Sequence, residues 1–336
     1  MNALRHAMVA SVVSSVLVVG VIAAPAGAGK GEKRRVEVAA VGTYAVGRVQ
    51  ETFVDDSRPT MATGTFAGAP NRTLLTTIFY PARGTYVEDE IVDGASPAKG
   101  DRPYPLILFS HGLTANATVY EGVIGEWVSA GYVVAAPDYP LSNTDAPGGN
   151  AFNSGLADLK NQPADASFVI DRVLALAKER GSLRGMVARK RIGASGHSGG
   201  GITTLGLAYA ACCTDDRVDA TIPMSAVMGL VDDRANYFVG VDTPLLLMHG
   251  DVDGIVPYTN GTDAYAQASA PKYLLTFPGA GHVQPFVGVE GPQGDALVEG
   301  SIAFWDAYLK GDRDALDGLR DAASDPSVAS LQEAAG

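Results

Sequence analysis

Gly196-His197-Ser198-Gly199-Gly200 has the composition of a turn that presents a nucleophilic serine. A strand-sized segment, Arg189 to Ser195, leads into it, and a helix-length apolar run, Ile202 to Ala211, follows. In that order of strand, G-x-S-x-G and helix, the residues two before and two after the serine must be nearly free of side chain so that strand and helix can pass. Gly199-Gly200-Gly201 at the start of a helix implies a tertiary demand, because each glycine costs on the order of 1 kcal/mol relative to alanine in a helix interior. A phosphate-cradling loop would end in Gly-Lys-Ser/Thr, and Gly200-Gly201-Ile202 has no lysine.

A hydroxyl nucleophile needs a base to take its proton and a carboxylate to orient that base. Of 5 histidines, His6 sits near the N-terminus, which leaves His111, His197, His249 and His282. His197 is fixed beside the serine and cannot curl back onto it. His111 and His249 each end a strand-like run, and His111 reads as a buried loop anchor. His282 lies in Pro278-Gly279-Ala280-Gly281-His282, a flexible loop able to swing an imidazole over a sheet edge. In the chain order serine, acid, histidine, only His282 leaves room for strand-end carboxylates before it.

Those carboxylates are Asp251 and Asp253, in His249-Gly250-Asp251-Val252-Asp253-Gly254-Ile255-Val256-Pro257. Asp253 is favoured because Gly254 and Pro257 shape a turn after it, with Asp232 and Asp233 as fallback acids. Read instead as a half calcium loop, the stretch lacks the remaining ligands and the position-12 glutamate, so no metal or cofactor is expected. The oxyanion of a tetrahedral intermediate needs two backbone N–H donors. The Gly199 amide should be one, and the Leu113 amide of His111-Gly112-Leu113-Thr114 the other.

The elements that must carry these residues are legible in outline. Tyr104 to Ser110 and Tyr132 to Pro137 are apolar runs of the kind buried on both faces of a parallel sheet. Val218 to Met224, Thr243 to His249 and Tyr273 to Phe277 are further strands. Val119 to Ala130, Pro163 to Arg180 and Leu297 to Leu309 read as helices, and Asp314 to Ala323 as a shorter one. The β-rich Val36 to Val54 and Arg72 to Tyr80 suggest an antiparallel edge ahead of the main sheet. Asp138 to Gln162 is aperiodic and rich in Gly, Pro and Asn, a long loop that would overhang the site. The tail after Ala323 reads as frayed. Strands alternating with helices imply an α/β sheet covered on both faces.

Met1 to Ala28 has the parts of a secretory signal: Arg5 and His6, an apolar run from Ala7 to Ala24, and an Ala26-Gly27-Ala28 cleavage site. The protein is therefore expected to be secreted as a single domain, 29–336, with its core in about 72–309 and no membrane-spanning segment after cleavage. A formal charge of −12, dispersed along the chain, argues against nucleic acid and anionic lipid surfaces as partners. The only 2 cysteines, Cys212 and Cys213, are adjacent and read as structural, a bridge between them being possible in an oxidising compartment. Oligomeric state is not legible.

Four motifs in order, Ser110-His-Gly-Leu113, Gly196-His-Ser-Gly-Gly200, His249-Gly-Asp-Val-Asp-Gly-Ile-Val-Pro257 and Gly279-Ala-Gly-His282, resemble those of the α/β-hydrolase superfamily. With Phe79-Tyr80-Pro81-Ala82, the chain looks like the branch of platelet-activating-factor acetylhydrolases and dienelactone-hydrolase-like proteins. The resemblance implies an α/β-hydrolase fold and a serine carboxylic-ester hydrolase with the triad Ser198, Asp253 and His282. Dienelactone hydrolases carry cysteine at the Ser198 position. Cutinases share a Gly-His-Ser turn but place methionine and aromatic residues where this chain has Gly199, Leu113 and Met224 to Gly229. The expected activity is thus esterase- or lipase-like, on small-molecule or lipid-like acyl esters. An acyltransferase, a polyester hydrolase or an amidase would use the same triad, whereas a non-catalytic binding protein would need a broken one.

Overall fold

The computed structural model describes residues 43–179 and 181–334. The expected signal, Met1 to Ala28, lies outside the described residues. Ten strands form one sheet in the order β10-β9-β8-β7-β6-β4-β5-β2-β1-β3. Its centre is β4 (Tyr104–Ser110), β5 (Val133–Asp138), β6 (Val187–His197), β7 (Val218–Met224), β8 (Leu245–Gly250) and β9 (Lys272–Phe277). These six pair in parallel, as an alternation of strands and helices requires.

The central strands are mostly apolar where both faces are covered: β4 is buried along its whole length, while Arg189 and Lys190 early in β6 and Asp219 on β7 are exposed. Along β4, Leu106 and Leu108 point into one core, while Ile107 and Phe109 point into the other. The first core packs under α3 (Gln162–Leu176) and α4 (Gly199–Tyr209) through Val169, Ile170, Val173 and Leu205. The second packs under α1 (Glu121–Ser129) and α6 (Gly291–Trp305) through Trp127, Val128, Leu297 and Trp305. Each fully buried Leu, Ile or Phe among them contributes about 2 kcal/mol of transfer free energy.

β1 (Ala45–Asp55) and β2 (Arg72–Ala82) form the antiparallel N-terminal edge, with β2 antiparallel to β5 and the short β3 (Ile91–Asp93) outermost. β2 does not stop before Pro81. Its pairing with β5 ends at Phe79, so the missing N–H of Pro81 falls where β5 no longer offers an acceptor.

Two further expectations fail. Asp138 to Gln162 is not structureless: it contains α2 (Ala151–Asp158), opened by Asn150, whose side chain accepts from the Asn153 amide, and a 3-10 turn, Leu159–Asn161. The tail does not fray either. β10 (Ser330–Ala334) pairs antiparallel with β9, and Leu331 packs on the second core. Its alternation is weak, so only the open edge of β9 makes it a strand. α5 (Thr259–Gln267), between β8 and β9, and α7 (Leu316–Asp321), which packs on α6, complete the helices named here.

Candidate active site

Ser198 sits between the end of β6 and the start of α4 with φ 56° and ψ −119°, a left-handed conformation that side-chain-bearing residues rarely adopt. The flanking glycines make this turn possible. A Cβ on Gly200 would run into the Ser110 carbonyl, one on Gly196 into the Gly200 carbonyl, and one on Gly201 would lie 2.8 Å from the Met224 carbonyl oxygen. The Ser198 amide donates to that same Met224 carbonyl at 2.9 Å, which fastens the turn to β7.

The structure brings the three predicted side chains together. His282 Nε2 lies 2.8 Å from Ser198 Oγ, and His282 Nδ1 lies 2.8 Å from Asp253 Oδ2. With the carboxylate accepting, Nδ1 carries the proton and Nε2 presents its lone pair to the hydroxyl. Asp253 Oδ1 accepts from the amides of Ile255 at 2.9 Å and Val256 at 2.8 Å. Burial opposes its charged form, but the His282 bond and the two amides outweigh burial, and the carboxyl is held below its ordinary value.

Asp251 has another task. Its Oδ1 accepts from the Gly279 amide at 2.6 Å, tying the acid loop to the loop that carries His282. Both oxygens of Asp253, by contrast, are taken up by backbone amides and His282. Asp232 binds Asn236 and the Cys212 amide at the far end of α4. His249 is buried beneath the acid loop, donating from Nε2 to the Val256 carbonyl at 2.9 Å. Burial lowers its pKa, so it stays neutral. The lack of a side chain at Gly261 admits it, since a Cβ there would lie 2.7 Å from His249 Nδ1.

Leu113 and Gly199 meet as expected. A Cβ built on Gly199 would lie 3.2 Å from the Leu113 nitrogen and 2.9 Å from its Cγ. Among the described residues neither amide donates to a backbone carbonyl outside its own helix or strand, and Gly199, as the first residue of α4, has no partner within the helix. His111 orients the Leu113 amide. Its Nε2 accepts from the Tyr139 amide at 3.1 Å, so Nδ1 carries the proton and donates to the Gly112 carbonyl at 2.8 Å. That carbonyl and the Leu113 N–H belong to one planar peptide, so holding one fixes the direction of the other. Burial lowers the His111 pKa to about 4, which preserves this tautomer.

Thr114 continues the loop at φ 67°, its amide donating to the Ser142 carbonyl at 2.7 Å. Behind it, Gln162 donates to Ser142 Oγ at 3.0 Å and accepts from Thr203 on α4 at 2.6 Å. Nothing in the sequence marks Gln162 or Ser142, because each is a lone polar residue in a segment without a motif. The segment expected to overhang the site reaches it through α2, where Gly155 packs on Ser142 and on the Leu113 side chain. Phe152 and Leu156 on α2, and Val252, Ile255 and Val283 on the acid and base loops, are exposed apolar side chains. Cys212 and Cys213, just past the C-terminal end of α4, are joined by a disulfide.

Residues 39–142 match the profile of a family described as platelet-activating factor acetylhydrolase, isoform II. That match takes in the Leu113 loop and stops short of Ser198. Among solved structures, a ferulic acid esterase from Streptomyces cinnamoneus is similar, at a TM-score of 0.61 and 26% identity, covering 82% of this chain and 93% of that one. No curated protein sequence matches.

Proposed function

For a carboxylic ester hydrolase of the α/β-hydrolase fold, resembling platelet-activating-factor acetylhydrolase, we propose an acyl-enzyme mechanism on Ser198. His282 takes the hydroxyl proton as Ser198 Oγ attacks the ester carbon. Asp253 holds the imidazole in the tautomer that can accept, and stabilises the cation that forms. The amides of Leu113 and Gly199 receive the oxyanion. His282 then returns the proton to the departing alcohol. Water, activated by the same imidazole, releases the acid. The observation that carries this reading is the unbroken run from Ser198 Oγ through His282 to Asp253, both links at 2.8 Å.

Ser198→Ala, His282→Ala and Asp253→Asn test it. Each should lower turnover of p-nitrophenyl butyrate by about 10⁴-fold or more while a cooperative thermal transition is retained. Full activity in Ser198→Ala would end the proposal. Because a protonated imidazole cannot accept the serine proton, turnover should also fall on the acid side. The exposed apolar side chains on α2 and on the acid and base loops favour esters with an apolar acyl group. The ferulic acid esterase neighbour makes esters of an aromatic acid a second class to assay. Rates across an acyl-length series, beside a feruloyl ester and competing alcohol acceptors, would separate esterase from acyltransferase.

Export is part of the same proposal. It is supported by the signal-like Met1 to Ala28 and by the Cys212–Cys213 disulfide, a bond that persists in oxidising compartments. Recovery from the culture medium of a chain whose first residue is near position 29 would support it. Retention of the full-length chain in the cytoplasm would refute it.

A further inference from the structure

The chemistry proposed above leaves His197 without a task, yet its side chain is deeply buried beside the nucleophile. The ring stacks on Phe286 at a centroid distance of 5.3 Å and lies 4.9 Å from the ring of His282. Its Nε2 is 2.7 Å from the backbone oxygen of His282. A carbonyl oxygen only accepts, so Nε2 carries the proton and Nδ1 the lone pair. The Tyr120 hydroxyl, 2.9 Å from Nδ1, must then donate to it. The oxygen of that hydroxyl accepts the Gly112 amide at 3.1 Å. Donor and acceptor roles are therefore fixed along the whole run, from Gly112 through Tyr120 and His197 to His282. Burial, and after it the neighbouring His282, lowers the His197 pKa to about 3, so the ring keeps one neutral tautomer. Burial raises Tyr120 to about 12, so its hydroxyl keeps its proton.

We infer that His197 and Tyr120 are positioning residues that set the spacing between the base-bearing loop and the oxyanion loop across the Ser198 turn. The inference rests on the Ser198 mechanism. His197 directly precedes the nucleophile in the chain, and one of its nitrogens holds the backbone of the base. The other nitrogen, through Tyr120, holds the N–H of Gly112. His111 holds the carbonyl of the same Gly112. Gly112, whose carbonyl shares its peptide with the Leu113 N–H, is thus held at both its N–H and its C=O. Nucleophile, base and oxyanion donor are all located by one imidazole, whose nitrogens bond the Tyr120 hydroxyl and the His282 backbone rather than the reacting atoms. A displaced donor or base raises the barrier without altering how the ester is first bound, so the loss belongs in kcat.

Three substitutions divide the run. Tyr120→Phe removes one oxygen and leaves both Gly112 N–H and His197 Nδ1 unpaired. His197→Gln keeps an N–H within reach of the His282 carbonyl but offers nothing to Tyr120. His197→Asn keeps an acceptor toward Tyr120 but loses His282. Diethyl p-nitrophenyl phosphate, which releases one nitrophenolate per reacted serine, counts active sites, so kcat and KM for p-nitrophenyl butyrate can be expressed per titrated serine. Each variant should lose about 10- to 100-fold in kcat with KM held within about twofold. The Ki of phenylboronic acid, whose tetrahedral adduct needs the oxyanion donors, should rise in parallel. Tyr120→Phe combined with His197→Asn should lose no more than the worse single variant, as members of one unit do.

The inference is overturned if kcat per titrated serine stays within about twofold of the parent, if fewer titratable sites account for the whole loss, or if the two losses add. Should the His197 variants not fold, Tyr120→Phe alone decides. A parent enzyme that the phosphate does not titrate, with Ser198→Ala still active, would instead remove the mechanism itself, and that outcome is distinct from the others.

Discussion

Gly200→Ala is a single added methyl group, and the structure sets how far the site must move to admit it. The new Cβ would overlap the Ser110 carbonyl and lie 2.8 Å from the His111 carbonyl oxygen. Ordinary carbon-to-carbonyl contacts begin at about 3.3 Å, so the first turn of α4 must retreat from the end of β4 by roughly 1 Å or more. Both partners are backbone in buried elements, so neither can rotate away. On stability two effects oppose each other. Alanine is better than glycine in a helix by about 1 kcal/mol, while overpacking costs about 1–3 kcal/mol. The net destabilisation is therefore modest. On activity nothing opposes the displacement. Ser198 and the Gly199 amide travel with α4, while Leu113 and His111 stay with β4, so the oxyanion donors separate. A misplacement of about 1 Å in such a site lowers turnover by roughly 10²-fold. The assay is kcat per titrated serine on p-nitrophenyl butyrate beside a thermal melt. Gly122→Ala is the control, since its Cβ would meet nothing nearer than a Val289 methyl at 3.4 Å. A Gly200→Ala enzyme within threefold of the parent would refute the reasoning, as would a loss matched by Gly122→Ala.

Two further outcomes follow from buried charge. Arg72, 1% exposed, binds Asp158 and Asp165, at 2% and 0%, and Arg58 also reaches Asp165. Arg72→Met should cost about 3–5 kcal/mol, because two carboxylates are left in the core, and should lower Tm by roughly 5–8 °C by calorimetry. A fall under 2 °C would mean that Arg58 alone suffices. Asp138 is raised to about 6 by burial, and its Oδ1 has no partner. An acid whose folded pKa is raised destabilises increasingly as pH climbs from its ordinary value to the folded one and fully above that, so Asp138→Asn should melt higher than the parent at pH 8, by about 1–2 kcal/mol after allowance for solvent screening. The advantage should shrink as pH falls through 6 and vanish only below about pH 4, where the unfolded carboxyl is protonated as well. An advantage independent of pH would assign it to something other than charge.

Each side chain of the Ser198, His282 and Asp253 run was legible because a turn of severe geometry leaves a severe composition. Gly196 and Gly200 cannot carry side chains, and loops at strand ends need Gly and Pro around a placed His or Asp. The central strands were legible for a similar reason: burial on both faces leaves apolar runs such as Leu106 to Phe109, Val133 to Ala136 and Leu245 to Met248. Elements whose existence depends on a neighbour were not. Ser330 to Ala334 becomes a strand only against β9, and Ala151 to Asp158 a helix only with Arg72 receiving Asp158 and Leu113 receiving Gly155. The hydrogen-bonded residues behind the site, Tyr120, Ser142 and Gln162, were invisible because a lone polar residue carries no periodicity.

The sequence by itself determined which groups can react and in what chain order, since covalent composition and local backbone demands are properties of short stretches. Tertiary structure alone decided that Asp251 ties the acid loop to the Gly279 amide while Asp253 meets His282, that His111 and His197 take one neutral tautomer each, and that both cysteines are joined. Apart from the disulfide between neighbours, those outcomes depend on contacts between residues 28 to 85 apart in the chain and on loss of water around each ring. Burial selects the charge state and tautomer of an imidazole, and no stretch of sequence contains its own burial.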